Sequence, residues 1–260
     1  MKDVMKITAI LMLSALSGIA QSDQQAGLEI AQRVDAADSG WKDEQLMAVM
    51  TLRGSNGKEV SRIIRTKILE QADDGDLSLT IFDRPNDVKG TVFLSHSHKM
   101  GDDDQWLFLP ALRRVKRISS NNRSGPFMGS EFAFEDITSE EVERYSYNFL
   151  REDSCADSLD CYVYERFPED KNSGYSKQIV YADKEHLRVH RIEYFDRKQA
   201  HQKTLERKGY QKFGDFWRAK KWTMVNHLRN KVTIINWQER VFDSGLMESD
   251  FDKNAIKRYK

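Results

Sequence analysis

Two histidines and three aspartates form the cluster in this chain that most resembles a metal site. His96 and His98 are separated by one residue, and Asp102, Asp103 and Asp104 follow shortly after them. Side chains two positions apart on a strand share a face, so the imidazoles could converge on a metal ion. Metal ligands usually come from several elements, however, with oriented outer partners, and alternation at a hairpin tip produces the same letters. We therefore predict no metal site here.

The other residues that could support catalysis have simpler explanations. His186, His190 and His201 lie among charged residues of predicted strands, which indicates surface positions. Glu131 and Glu135 would share a strand face, but such carboxylates can equally balance cations across a sheet. The serines cluster in loops and lack a Gly-x-Ser-x-Gly elbow. We predict that the protein is not an enzyme and needs no cofactor.

The two cysteines are expected to pair. Cys155 and Cys161 lie in SCADSLDCY, a polar segment between two strand-like runs. Across the mouth of a hairpin this spacing can close a disulfide, which would contribute about 2.4 kcal/mol on the chain-entropy model. A metal site would need two further ligands nearby, and none is evident.

The stretch from Asp102 to Ile137 joins an apolar run, Trp106 to Leu112, directly to a basic one. Basic residues on a strand edge can simply discourage edge-to-edge aggregation. The alternative is a cationic rim that contacts an anionic head group or a partner surface, because the arginine fork suits phosphate and carboxylate. The aromatic residues would then line an acyl side or form ordinary core. The candidate ligand-binding residues are Trp106, Phe108, Leu112, Arg113, Arg114, Lys116, Arg117, Arg123, Phe132 and Phe134.

Residues 1–20 are typical of a secretory signal peptide. Lys2 and Lys6 precede an uncharged apolar run, and Gly18-Ile19-Ala20 has the small-x-small pattern of a cleavage site. The run is too short for a comfortable transmembrane span, although a retained membrane anchor is the alternative. We predict an exported protein that is cleaved near Ala20.

The composition argues against a nucleic-acid-binding protein. The chain has 41 Lys and Arg against 41 Asp and Glu, so no bulk charge favours nucleic acid. Charged residues make up 32% of the chain, which indicates a well-solvated surface. No linker or compositional break is visible, so residues 21–260 are predicted to form a single domain and a monomer.

The pattern of the mature chain predicts one helix followed by an antiparallel meander. Asp23 to Asp38 has a 3.6-residue apolar period that ends before Gly40. Leu46 to Arg53 and Glu59 to Glu70 flank an Asn-Gly turn, which is a strong hairpin signal.

Further runs bring the total to about eleven strands, and Trp106 to Ile118 is read as one of them. Thr138 to Glu141 has the capping pattern of a short helix. The tail from Glu248 to Tyr259 is predicted to be a short helix or an irregular strap.

Three motifs resemble one known family. GTVFLSH at 90–96, DQWLFLPALRRVKRIS at 104–119 and SGPFMGSEFAFEDI at 124–137 are similar to outer membrane lipoprotein-sorting proteins, the LolA/LolB-like carriers. The resemblance implies a mainly β (α+β) fold: a strongly curved, incomplete antiparallel β-barrel with helices that cover its concave side. It also implies a hydrophobic cavity between them that binds acyl chains.

The resemblance further implies a function. It suggests a periplasmic, non-catalytic carrier that shields acyl chains of a lipid or lipoprotein during transfer towards the outer membrane. The branch also accompanies RND-type inner-membrane exporters, so the alternative is an adaptor or substrate shuttle for such an exporter. The partners that the resemblance implies are acyl chains of a lipid or lipoprotein, together with an RND-type inner-membrane exporter or an outer-membrane acceptor.

Overall fold

The structure, a computed structural model, describes residues 21–259. The predicted signal peptide of residues 1–20 lies outside the described part. A helix over residues 21–36 confirms the predicted amphipathic helix. Its face formed by Leu28, Ile30, Ala31 and Val34 contacts the main hydrophobic core.

Thirteen strands follow the helix and form one antiparallel sheet, two more than the sequence predicts. They are β1 (Asp43–Arg53), β2 (Glu59–Leu69), β3 (Leu77–Arg84), β4 (Val92–His96), β5 (Asp104–Leu109), β6 (Arg114–Ile118), β7 (Tyr145–Ser154), β8 (Asp160–Pro168), β9 (Tyr175–Asp183), β10 (Val189–Asp196), β11 (His201–Phe213), β12 (Phe216–Asn226) and β13 (Lys231–Phe242). Their spatial order is β6-β5-β4-β3-β2-β1-β13-β12-β11-β10-β9-β8-β7. The sheet is therefore a meander in which β1 and β13 pair at the centre, and β6 and β7 are its edges.

The turn between β1 and β2 shows how local sequence sets the register. Gly57 adopts φ +78°, a left-handed conformation that glycine reaches without steric cost. The amide of Gly54 donates to the carbonyl of Lys58 at 2.9 Å, and the amide of Gly57 donates back to Gly54 at 2.9 Å. This turn confirms the predicted hairpin.

The predicted single strand from Trp106 to Ile118 is wrong. The chain forms a hairpin there, because Pro110 begins a 3-10 helix, Pro110–Leu112, and Arg113 adopts a left-handed φ of 49°. Proline has no N–H for the ladder and fixes φ near the helical value. The basic run is thereby placed in the edge strand β6.

Two predicted helical segments become single 3-10 turns. The capping pattern at Thr138 leads only to Val142–Arg144, and the tail contains Glu248–Phe251 and Ile256–Arg258. The tail confirms the predicted strap. Other short 3-10 helices cover Ser120–Asn122, Phe127–Gly129, Phe134–Asp136 and Ala156–Ser158.

One face of the sheet surrounds the main core, here called the inner cluster. Every strand contributes a buried side chain to it, which is possible only if the sheet curves around that face. One residue from each strand in chain order is Ala48, Ile64, Phe82, Phe93, Leu107, Ile118, Tyr147, Tyr164, Val180, Ile192, Leu205, Met224 and Ile235. The inner face is therefore the concave one.

The opposite face carries a smaller outer cluster. Leu79, Ile81 and Leu94 lie on strands β3 and β4, and the tail covers them with Phe251 and Ile256. The C-terminal tail therefore packs against the convex side of the sheet.

The helix packs closely against the edge strand β7. A Cβ atom on Gly27 would lie 2.8 Å from backbone atoms of Asn148 and Phe149, a distance that Cβ atoms essentially never adopt. Gly27 therefore allows the helix backbone to touch the strand. The disulfide joins Cys155, the residue after β7, to Cys161 in β8 and confirms the predicted pairing.

Candidate functional site

The segment that connects the two sheet edges is the main candidate for a functional element. Residues 119–144, here called the crossing segment, leave edge strand β6 and enter edge strand β7. Phe127, Phe132 and Phe134 of this segment are buried in the inner cluster. The crossing segment therefore lies in the concave side of the sheet and supplies the middle of its core.

The three phenylalanines form one aromatic group with the sheet wall. The ring of Phe127 lies 5.6 Å from that of Phe134 and 5.2 Å from that of Phe93, both edge to face. Phe132 contacts Trp222 at a ring distance of 6.5 Å. Such aromatic pairs add to the stabilisation from burial alone.

Polar contacts attach the crossing segment to the middle strands. On β13, the Thr233 Oγ1 accepts the amide of Glu131 at 2.9 Å. On β12, the Asn226 Nδ2 donates to Glu131 Oε2 at 2.7 Å, and on β2 the Arg62 Nη1 donates to the carbonyl of Met128 at 2.6 Å. The segment is thus bound to strands that lie far from its two ends in the sheet order.

Lys203 and Asp136 form a buried ion pair between β11 and the crossing segment. The Lys203 Nζ lies 2.7 Å from Asp136 Oδ2 and also donates to the carbonyl of Glu131 at 3.1 Å. The Tyr175 hydroxyl donates to Asp136 Oδ1 at 2.7 Å. Buried charges are stable only when they are paired and hydrogen-bonded in this way.

Glu140 extends the attachment near the end of the crossing segment. Its carboxylate accepts from Arg166 at 2.7 Å and from Arg207 at 3.4 Å. Burial acts to raise the pKa of Glu140, but the two guanidinium groups outweigh it and lower the pKa to about 2. The group is therefore ionised under ordinary conditions.

Ion pairs close the gap between the two sheet edges. Asp103, just before β5, accepts from Arg123 at 2.9 Å and from Arg144 at 2.6 Å, and its side chain is 0% exposed. Arg123 also lies 2.6 Å from Asp170 in the turn between β8 and β9. Strands β6 and β7 do not pair with each other, and this group of Asp103, Arg123, Arg144 and Asp170, here called the gap clamp, links the two edges.

A polar pocket of about 520 Å³ opens beside the gap clamp. Three loops form it: the start of the crossing segment, the β8–β9 turn and the β10–β11 turn. Its lining residues are Asn121, Ser124, Asn172, Gly174, Asp196, Arg197 and Lys198. A much narrower polar pocket of about 20 Å³ adjoins the gap clamp and includes Glu135 and Tyr145. Burial and the charge of Asp136 raise the pKa of Glu135.

The structure divides the predicted ligand-binding aromatic residues between two places. Phe132 and Phe134 lie in the inner cluster. Trp106 and Phe108 face the outer cluster, beneath the C-terminal tail. Leu112 lies in the turn between β5 and β6 and is 63% exposed. These five residues therefore do not line one surface.

The predicted cationic residues are divided too. Alternation along β6 places Arg114 and Lys116 on the face opposite Arg117. Arg117 pairs with Asp104, whereas Arg113 lies exposed in the turn. Arg123 is buried in the gap clamp, so it does not belong to a solvent-facing rim.

Sequence reasoning missed the buried cations that bind the crossing segment. Lys203 lies two residues before the core residue Leu205 on β11, and Arg166 lies two residues after Tyr164 on β8, so each cation shares the inner face with its neighbour. A cation at a core-facing strand position was the available signal, because such residues are rarely buried without a partner.

The histidines have other partners than a metal. The His96 Nε2 lies 2.9 Å from the carbonyl of Phe251, and the His98 Nδ1 lies 2.7 Å from Asp74. Within residues 21–259, no group of three or more His, Cys, Asp or Glu side chains has the arrangement of a metal site.

The three histidines predicted to lie at the surface differ in burial. The prediction is wrong for His190, which is buried and bonds to Asp183 at 2.8 Å. It is confirmed for His201, which is exposed, while His186 is half-buried against Trp217.

No helix among residues 21–259 combines the length and the apolarity needed to cross a bilayer. No match is found among curated proteins. A family model described as an uncharacterized protein matches residues 74–258.

Crystal structures of three other proteins are among those similar to this chain. A domain named for outer membrane lipoprotein sorting, from Vibrio parahaemolyticus, is 50% identical with a TM-score of 0.89, and the match covers 91% of this chain and 100% of that one. A DUF1329 family protein from Desulfovibrio piger is 31% identical with a TM-score of 0.85, covering 90% and 99%. A LolA superfamily protein from Nitrosomonas europaea shares the fold, at 19% identity and a TM-score of 0.69, covering 89% and 98%. The chain belongs to the family that contains this outer membrane lipoprotein-sorting domain and the DUF1329 protein.

Proposed function

We propose that this protein is a periplasmic carrier that shields the acyl chains of a lipid or lipoprotein inside its curved sheet, without catalysing a reaction. One observation carries the proposal. All thirteen strands form the wall of the inner cluster, whereas the helix over residues 21–36 and the crossing segment fill its middle. A wall and a filling that belong to different elements can separate while the strand ladder stays intact.

An acyl chain is apolar, like the phenylalanine side chains that fill the inner cluster. Burial of apolar surface stabilises by about 25 cal/mol per Å², so a chain in contact with the wall recovers the apolar contacts that a displaced phenylalanine gives up. Phe127, Phe132 and Phe134 lie where the chain would bind. The polar contacts of Glu131, Asp136 and the middle strands then stabilise the closed, ligand-free arrangement.

The family supports the cellular setting. A relative of 50% identity is named for outer membrane lipoprotein sorting. We infer that residues 1–20 direct export, that residues 21–260 act as a single monomeric domain, and that an outer-membrane acceptor receives the cargo. The basic turn and strand, Arg113 to Arg117, is the proposed contact for an anionic head group or a partner surface.

Native mass spectrometry of the protein taken directly from periplasm tests the proposal. We expect a bound mass equal to that of a lipid or lipoprotein acyl group, which organic solvent should extract. Titration with a fluorescent fatty acid gives the affinity. The variants Phe127→Ala and Phe132→Ala should bind the probe more tightly, because the shortened side chains compete less well with an acyl chain for contact with the inner face of the sheet.

A matched control is Phe251→Ala, which removes a phenylalanine that is buried in the outer cluster. It should lower stability but leave probe affinity unchanged. Absence of any bound lipid, together with equal probe affinity for all of these variants, would contradict the carrier function.

The filled inner cluster favours one second candidate. A protein whose core is occupied by its own phenylalanines and whose basic edge strand is exposed also fits an adaptor for an RND-type inner-membrane exporter. Such an adaptor should bind the periplasmic part of the exporter with its interior still closed. Binding of that domain at full affinity by lipid-free protein would favour the adaptor over the carrier.

A further inference from the structure

The geometry points to a separate binding site for a phosphate-bearing group in the polar pocket beside the gap clamp. The pocket has a volume of about 520 Å³, within the range of small-molecule sites. Its side chains are amide, hydroxyl and charged groups in place of the apolar lining that an acyl chain requires. Only the link between this site and a lipid rests on the proposed function. The inferred binding of phosphate does not depend on that function.

Arg197 supplies a guanidinium that is already held in position. Its Nε donates to the carbonyl of Ser173 at 2.8 Å, and its Nη2 donates to the carbonyl of Lys171 at 2.7 Å. A guanidinium has five N–H donors, so three remain, including both on Nη1. No carboxylate among the described residues forms an ion pair with it, and a fixed arginine fork is well suited to bind phosphate oxygens.

The remaining charges in the pocket favour an anion. Lys198 is exposed and forms no ion pair with a described residue. The acid of the pocket, Asp196, is occupied by its own turn, because its Oδ1 accepts the amides of Lys198 at 2.8 Å and of Ala200 at 2.9 Å. Two cations and one acid leave the lining with a net positive charge.

Two of the loops that line the pocket are closely packed against each other. A Cβ atom on Gly174 would lie 2.8 Å from the Ser124 side chain, so glycine is required for the two loops to meet. The amide of Gly174 donates to Glu135 Oε1 at 2.9 Å, and the Ser173 hydroxyl donates to Oε2 at 2.8 Å, so Glu135 is not an unpaired acid beside the pocket. Asn121 and Asn172 add amide groups at the mouth.

The pocket also lies beside the gap between the two sheet edges. Ser124 of the pocket adjoins Arg123 of the gap clamp, and Asn172 and Gly174 flank Ser173, which lines the narrower neighbouring pocket. A phospholipid with its phosphate in the polar pocket would therefore have its acyl chains next to the gap between β6 and β7. Free phosphate would use the pocket alone.

Isothermal titration calorimetry with inorganic phosphate tests the site on the mature protein. Lys198→Glu reverses a charge that forms no hydrogen bond or ion pair with a described residue, and it should weaken binding by about tenfold or more, as loss of a charge-assisted contact implies. Arg197→Ala should do the same. Lys220→Glu makes an identical charge change on an exposed part of β12 and should stay within about twofold of the wild type.

Two arms identify the source of the phosphate. Tighter binding of soluble dihexanoylphosphatidylglycerol than of inorganic phosphate assigns the site to a lipid head group, whereas equal affinity assigns it to free phosphate. Absence of saturable binding for both probes, or equal binding by Lys198→Glu and the wild type, overturns the proposal. Phosphate binding without any affinity for fatty acid would contradict the carrier function and leave the phosphate site in place.

Discussion

Lys203 shows how a charge is accommodated in the core of this protein. Its ammonium group pairs with Asp136 and lies 4.9 Å and 5.4 Å from the ring centres of Tyr175 and Tyr194. A buried ion pair contributes little net stability compared with apolar packing, but removal of one partner is costly. We infer that the pair specifies where the crossing segment lies on the wall.

Asp103 is the residue of the gap clamp on which both arginines depend. The substitution Asp103→Asn leaves Arg123 and Arg144 without their buried carboxylate, and we expect a loss of about 3 kcal/mol in the free energy of unfolding. Urea denaturation followed by circular dichroism measures it. Asp73→Asn, at an exposed loop position, should change that free energy by less than about 0.5 kcal/mol. Equal losses in both variants would show that the clamp is not structural.

Asp76 makes the stability of the fold depend on pH. Burial raises its pKa from 3.8 to about 7, helped by the charge of Glu141 and opposed by the amide of Gln71. The folded protein therefore favours the protonated acid. Its stabilising contribution is fully present below about pH 4 and is lost as the pH rises through 7.

The substitution Asp76→Asn should remove this dependence, because asparagine keeps the acceptor for the Gln71 amide but carries no charge. We expect the thermal midpoint of the variant relative to the wild type to rise between pH 4 and pH 7 and to level off above that range. Thermal melts at a series of pH values measure the difference. A constant difference at every pH would contradict the assigned pKa.

At the scale of elements, the basic turn and edge strand can be tested as a unit. Arg113, Arg114 and Lys116 are exposed and form no ion pair with a described residue, whereas Arg117 pairs with Asp104. Replacement of all four by serine should weaken transfer of acyl cargo to acceptor membranes while the thermal midpoint changes little, because exposed charges contribute little to stability. A liposome transfer assay measures the effect.

The matched control replaces four exposed lysines on other strands by serine: Lys212, Lys220, Lys221 and Lys231. This variant has the same change in net charge. If both variants lose transfer equally, the effect comes from overall charge. If neither loses it, the basic edge serves only to discourage strand pairing with other molecules.

At the scale of the whole molecule, the sheet and the crossing segment should respond differently to cargo. Uptake of an acyl chain into the inner cluster requires displacement of the crossing segment, while the ladder of β1 and β13 is unaffected. Hydrogen exchange with and without a bound fatty acid should show faster exchange in residues 119–144 and unchanged exchange in the central strands, because local opening sets the exchange rate. Greater protection of the crossing segment in the bound state would contradict displacement.

The correctly predicted elements of the fold follow mostly from local sequence patterns. Alternating apolar residues and the Asn-Gly turn predicted the hairpin of β1 and β2, and the period of Leu28, Ile30, Ala31 and Val34 predicted the helix. The sequence pattern predicts one strand in place of the hairpin of β5 and β6. The turn of this hairpin contains Pro110 and a left-handed Arg113 and has no glycine that would indicate a turn.

The site was less predictable for a physical reason. Phe127, Phe132 and Phe134 are separated by five and two residues, so the three together follow neither a period of two nor one of 3.6, because they lie in 3-10 turns and loops whose direction is set by distant strands. Lys203 and Asp136 meet across 67 residues of sequence. No local pattern records such a contact.

The sequence by itself determined the disulfide, the helix, the antiparallel meander and the family, because each depends on short-range spacing or on motifs. Only the tertiary structure decided what the stretch from Asp102 to Ile137 does. Its basic part is an edge strand, and its aromatic part crosses the concave face as the filling of the core. The physical reason is that sheet curvature and the pairing of β1 with β13 are long-range: they bring β6 and β7 to opposite edges and leave one segment to span the space between them.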